Sequence, residues 1–151
     1  MKDSAPYETV AVLGAGAWGT ALAQVAAAAG RGVTLWAREP EVVEAVNHRR
    51  ENELFLPGIK LNAVVRAVSA LEEAAEADLI LAVPPAQHMR GVLKALKPHL
   101  APETPVVLCA KGVERGTEAL MTDVLADELP EQTPVVLSGP GFAKDVARGL
   151  P

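Results

Sequence analysis

Residues Val10 to Gln24 read VAVLGAGAWGTALAQ. An apolar, β-branched run passes through Gly14, Gly16 and Gly19 into an alanine-rich segment with high helix propensity. Strand, glycine turn and helix in that order is the arrangement that cradles a pyrophosphate. Gly14 permits the tight turn, Gly16 lets the phosphates approach the backbone, and Gly19 lets helix and strand pack closely. The first amides of the helix, with its positive dipole end, then face the anion. Glycine turns occur in many folds, so this reading depends on what stands at the end of each later strand.

Short apolar runs alternate with longer helical patterns along nearly the whole chain. Strands are expected at Thr9–Leu13, Val33–Ala37, Val64–Val68, Leu79–Val83, Val106–Ala110 and Val135–Ser138. They are continuous rather than alternating, as in a parallel sheet covered on both faces. Helices are expected at Trp18–Ala29, Glu41–Arg50, Leu71–Glu76, Ala86–Leu96 and Glu118–Glu128. Gly30 and Gly32 close the first helix, Pro98 the fourth, and Pro130 and Pro134 bracket the last link. Repeated β-α units with right-handed crossovers predict a Rossmann-type doubly wound α/β fold, with six strands in the order 3-2-1-4-5-6. Residues Asn52–Asn62 interrupt the second crossover with an irregular piece. After the sixth strand, GPGFAKDVARGLP leads into a short helical turn that reads as the approach to a further domain.

In such a sheet ligands bind beyond the carboxyl ends of the strands. Strand two ends in LWAR, about twenty residues past the glycines, where a carboxylate suits the ribose 2′-hydroxyl of NAD and an arginine the 2′-phosphate of NADP. Arg38, followed by Glu39, favours NADP without excluding NAD. Its flat guanidinium also suits stacking on an adenine. Strand four ends in AVPPAQ, where Pro84 and Pro85 form a stiff apolar lip. Strand five ends in CAKGVE, placing Lys111 where it can meet an anionic group. Strand six ends in SGPGFA, whose glycines Gly139 and Gly141 expose backbone amides. Four strand ends thus converge on one crevice.

Composition narrows the remaining classes. Of 151 residues, 50% are hydrophobic but only 3% aromatic, so the core is built from Ala, Val and Leu. A net charge of −5 argues against a nucleic-acid partner. The single cysteine, Cys109, lies in an apolar run and reads as a buried small hydrophobe. No disulfide can form within the chain, which fits a reducing, cytoplasmic setting. The leading MKDSAPYETV has no apolar signal core, and no run reaches the roughly 20 apolar residues of a membrane span. His48, His88 and His99 lie away from the crevice, no Cys/His spacing suggests a metal site, and the glycines lack the GK[ST] ending of a P-loop. Glu72, Glu73 and Glu76 read as a solvated helix face. No catalytic acid or base can be assigned among these residues.

Taken in order, GAGAWGTALA, LWAR, NELFLPGIKL, AKGVE and LSGPGFAKDVARGLP resemble the N-terminal domain of bacterial NAD(P)-dependent glycerol-3-phosphate dehydrogenase, from Thr9 to Pro151. The resemblance implies NAD(P)H-dependent reduction of dihydroxyacetone phosphate to sn-glycerol 3-phosphate, feeding glycerophospholipid synthesis. It implies cofactor contacts at Gly14, Gly16, Ala17, Trp18, Gly19, Arg38, Phe55, Lys111 and Ala143, and substrate contacts at Lys111, Gly139 and Gly141. Phe55 stands where the family usually has Tyr, Gly141 and Ala17 where members commonly have Ser, and Asp145 where Glu is frequent. The family's proton-donating lysine and most phosphate ligands belong to a helical C-terminal domain, expected beyond Pro151. The isolated chain is therefore expected to bind cofactor without turnover, and a homodimer is expected of the full-length protein. Two other readings stay open at this point: a related two-domain reductase of hydroxy acids or ketopantoate, and a standalone nucleotide-binding or redox-sensing module.

Overall fold

The computed structural model describes residues 7–150; residues 1–6 of the leading segment read above for a signal core, and Pro151, lie outside it. Its strands are β1 (Thr9–Leu13), β2 (Gly32–Trp36), β3 (Val65–Val68), β4 (Leu79–Ala82), β5 (Val106–Leu108) and β6 (Pro134–Val136). They form one parallel sheet in the expected order β3-β2-β1-β4-β5-β6. The helices are α1 (Ala17–Ala28), α2 (Pro40–Glu44), α3 (Leu71–Ala75), α4 (Ala86–Leu96), α5 (Met121–Glu128) and α6 (Ala143–Ala147).

Strand side chains alternate between faces, and here both faces are covered. Val10 and Val12 join Leu35, Val65 and Leu81 beneath α1 and α6. Ala11 and Leu13 join Ile80, Val106 and Leu108 beneath α3, α4 and α5, where Met89, Leu93, Leu96 and Leu125 are fully enclosed. At the start of β1, Asp78 accepts bonds from the Thr9 hydroxyl at 2.8 Å and from the Thr9 N–H at 2.9 Å. These bonds, with one from the Glu8 N–H, hold its carboxyl below the usual carboxylate range.

Several expected boundaries move. β2 begins and ends one residue early, so Gly32 opens the strand rather than closing α1; Gly30, at φ +79°, closes the helix. Val83, Cys109 and Leu137 fall just past their strands, yet their amides still bond across the sheet to Leu13, Ala82 and Leu108. The helix expected over Glu41–Arg50 is α2 followed by a wider π-turn at Ala45–Arg49, ended by Arg50 at φ +57°. That turn carries Asn47, whose amide donates to the Ala67 carbonyl at 2.9 Å and accepts the Ala67 N–H at 2.8 Å. Asn47 so occupies hydrogen-bonding groups on the free edge of β3. The helix expected from Glu118 starts at Met121, because Glu118 adopts φ +58° and Asp123 caps the Leu120 amide at 3.2 Å. The other edge, β6, opens with Pro134, which suits a strand with no neighbour on its outer side among the described residues.

Replacing Leu96, wholly buried between α4 and the sheet, with Ala should lower unfolding stability by about 2–5 kcal/mol. The urea midpoint measures it; an unchanged midpoint would contradict this packing.

Candidate functional site

β1 lies between β2 and β4, so the sheet's order reverses at its carboxyl end. There Gly14 turns at φ +110°, and a Cβ on it would stand 3.2 Å from the Pro84 nitrogen. A Cβ on Gly19 would collide with the Gly14 carbonyl oxygen, so only glycine lets α1 start directly over the strand end. Gly16 has nothing within 4 Å of its Cβ direction. Its N–H finds no acceptor among the described residues. The three glycines therefore divide into two that permit packing and one that leaves backbone open.

Next to this turn lies a cleft of about 430 Å³ beyond the ends of β4 and β5. It brings together Ala17, Trp18, Lys111, Gly139, Gly141 and Ala143, all expected from the sequence, and Pro84 and Pro85 form its lip. Gly141 lies against the Trp18 ring, its Cβ direction 3.6 Å from Cη2, so α6 and α1 close one side together. Cys109 forms part of the floor, and burial pushes its thiol up to about 11. It is a neutral, packed sulfhydryl at neutral pH.

Lys111 is exposed, and no carboxylate among the described residues pairs with it. The loop that carries it contains Gly112, Gly116 and Glu118, all at positive φ, and is held by α4. Gln87 donates to the Val113 carbonyl at 2.9 Å and accepts the Arg115 N–H at 2.9 Å. Arg90 forks onto Glu114, with Nε 2.8 Å from Oε1 and Nη2 3.0 Å from Oε2, and also reaches Asp127 and Glu128. Hydrogen bonds from Arg90 first, then from the Thr117 hydroxyl at 2.6 Å, hold the Glu114 carboxyl below its ordinary value. Sequence reading overlooked this latch, because its members are scattered over α4, the loop and α5.

Two expected contacts stand outside the cleft. Arg38 follows β2 with its side chain 77% exposed and Nη2 3.3 Å from the Glu39 carboxylate. Phe55 is partly exposed in the irregular piece, which is not loose. Leu56, Ile59 and Leu61 are buried, and Gln24 of α1 bonds to the Lys60 carbonyl and the Asn62 amide. Phe55 itself donates its N–H to the buried Asn52. His48, His88 and His99 are exposed, as are Glu72 and Glu76, while Glu73 pairs with Arg66 at 2.8 Å. Among the described residues no group of three or more His, Cys, Asp or Glu side chains is placed to hold a metal ion, and no helix is long and apolar enough to cross a membrane.

Comparison with known proteins agrees with this geometry. A family model described as "NAD-dependent glycerol-3-phosphate dehydrogenase N-terminus" matches residues 9–151. A glycerol-3-phosphate dehydrogenase [NAD(P)+] of Parvibaculum lavamentivorans is 63% identical over 145 residues, 96% of this chain and 44% of that protein. The crystal structure of glycerol-3-phosphate dehydrogenase from Coxiella burnetii superposes with a TM-score of 0.89 at 34% identity, covering 96% of this chain and 45% of that one. The enzyme of the same name from Saccharomyces cerevisiae gives 0.84 at 30% identity, over 95% and 45%. The chain thus spans under half the length of each of these three relatives.

Because the Glu114 carboxyl titrates lower folded than unfolded, its contribution to stability is present above the unfolded value of about 4.3. That contribution is lost as pH falls through the depressed folded value. Glu114→Gln should lower Tm at pH 7, and the gap to wild type should close on acidification; a constant gap would sink the latch.

Proposed function

The chain belongs to the family described by the N-terminus of NAD-dependent glycerol-3-phosphate dehydrogenase, and from that premise we propose that it forms the cofactor half of an enzyme reducing dihydroxyacetone phosphate to sn-glycerol 3-phosphate. The observation that carries the reading is the open Gly16 amide at the α1 N-terminus, beside a cleft holding the unpaired Lys111. The residues fit a dinucleotide: a carbon at Gly16 would block the phosphates' approach, and none is there. The backbone N–H groups of Gly16 and Ala17 would hold the pyrophosphate, with Gly14, whose own N–H bonds to the Trp36 carbonyl, making the turn and Gly19 allowing the close fit. Arg38 would hold the adenosine end, and Trp18, Phe55 and Ala143 would line the remainder. When bound, the cofactor supplies the hydride for the substrate ketone.

This chain's own side chains do the rest. Lys111 meets the anionic substrate and orients its carbonyl, while Gly139 and Gly141 offer backbone amides. Pro84, Pro85 and Trp18 keep water from the reacting face. The proton for the carbonyl oxygen comes, on this reading, from a lysine in a helical domain outside these 151 residues. Exposed apolar groups on and beyond β6, Val135, Val136, Leu137 and Phe142, support such a covering domain. Glycerophospholipid synthesis, a cytoplasmic setting and a homodimer of the full-length protein belong to the same reading. The net charge of −5 supports the absence of a nucleic-acid partner.

The choice of NADP over NAD rests on Arg38, since Glu39 beside it is the group that would suit a ribose hydroxyl. Fluorescence titration of the chain should show NADPH and NADH both binding, with Arg38→Ala weakening NADPH about tenfold, the scale of one exposed charge-assisted contact, and NADH little. Equal weakening would remove the phosphate assignment. With dihydroxyacetone phosphate and NADPH the chain alone should show no oxidation at 340 nm; turnover at an enzyme's usual rate would refute the division of labour.

A further inference from the structure

Asn52 is wholly buried, one of few polar side chains so enclosed. It lies at the start of the irregular piece, far in sequence from the glycine turn. Its Nδ2 donates to the Ala15 carbonyl at 2.8 Å and to the Thr20 hydroxyl at 2.8 Å. The Thr20 hydroxyl leans on the same carbonyl at 3.4 Å. Its Oδ1 accepts the N–H of Phe55 at 3.1 Å. Every hydrogen-bonding group of a buried amide that faces protein here has a purpose, and each partner belongs to the cofactor edge.

The consequence follows from peptide planarity. The Ala15–Gly16 bond is trans, so its carbonyl and its N–H point in opposite directions. With the Ala15 carbonyl drawn inward by Asn52 and Thr20, the Gly16 N–H must point outward. Among the described residues that N–H finds no acceptor, and nothing stands within 4 Å of where a Gly16 side chain would begin. We propose that Asn52 is a positioning residue of the dinucleotide cradle, fixing the Ala15–Gly16 peptide so that the Gly16 N–H faces the pyrophosphate, and seating the Phe55 backbone with the same side chain. A peptide free to flip would present a carbonyl oxygen to the phosphates, repelling what the amide attracts. The inference rests on the dinucleotide reading of the glycine turn, and deepens it by assigning the group that orients the turn.

Asn52→Leu keeps the volume and removes the hydrogen bonds. It should raise the Kd for NADH and NADPH at least tenfold, while Leu96→Val, a core change on the opposite sheet face, shifts Kd less than twofold even where Tm falls as far. In the free protein the Gly16 amide resonance of N52L should move, and its downfield response to NADH should shrink. Kd within twofold of wild type, or an unaltered Gly16 response, overturns the proposal. If N52L does not fold, Asn52→Ala decides by the same amide, since it removes the donor to the Ala15 carbonyl and leaves room for water beside Thr20; an unaltered Gly16 resonance and response there refutes the inference. Failure of the wild-type chain to bind either dinucleotide would take down the cradle reading itself, whereas normal wild-type binding with unaffected variants removes only the role of Asn52.

Discussion

The approach of Gly19 to the Gly14 carbonyl is the contact on which the site depends. With no side chain on Gly19, α1 begins directly over the end of β1 instead of being held off by a carbon atom. Unpaired amides of its first turn, which every helix has, then face outward where the strand order reverses. Gly14 performs the same service on the other side, admitting the Pro84 backbone so that β4 leaves the sheet against the turn. Two absent side chains bring three elements together, and the third glycine leaves a place for a ligand.

Around that fixed point, the cleft is assembled by side chains from distant parts of the chain. Asn52 reaches back from the second crossover to the glycine turn. Arg90 and Gln87 reach from α4 to the loop that carries Lys111. Gly141 of the last turn rests on Trp18 of the first helix. Each clamp acts on irregular backbone, which in the Lys111 loop includes the positive φ angles of Gly112, Gly116 and Glu118.

How far these features could be read in advance depended on whether their cause was local. The strands were legible because a strand buried on both faces must be apolar along its buried length, and the VAVL of β1 is. Lys111, Gly139 and Gly141 were placed in one crevice by the rule that strand ends meet at the reversal of order, whereas Trp18 and Ala143 came from the family resemblance. The start of α5 was not legible, because Glu118 belongs to a helical pattern yet takes a left-handed conformation in the Lys111 loop. Nor was the π-turn, where Asn47 is engaged with the edge of β3. Arg38 was foreseen by spacing, but its pairing with Glu39 appears only in three dimensions.

By itself, the amino-acid order determined the succession of β-α units, the glycine turn after β1 and the positions of Arg38 and Lys111 past the ends of β2 and β5. Those are set by periodicity and steric freedom within a few neighbouring residues. Only the tertiary structure decided that Asn52 orients the Ala15–Gly16 peptide and that Arg90 holds the Lys111 loop. A hydrogen bond across 37 residues leaves no periodic trace, since its partner is a backbone carbonyl that every residue possesses. Folding alone determines which carbonyl that is.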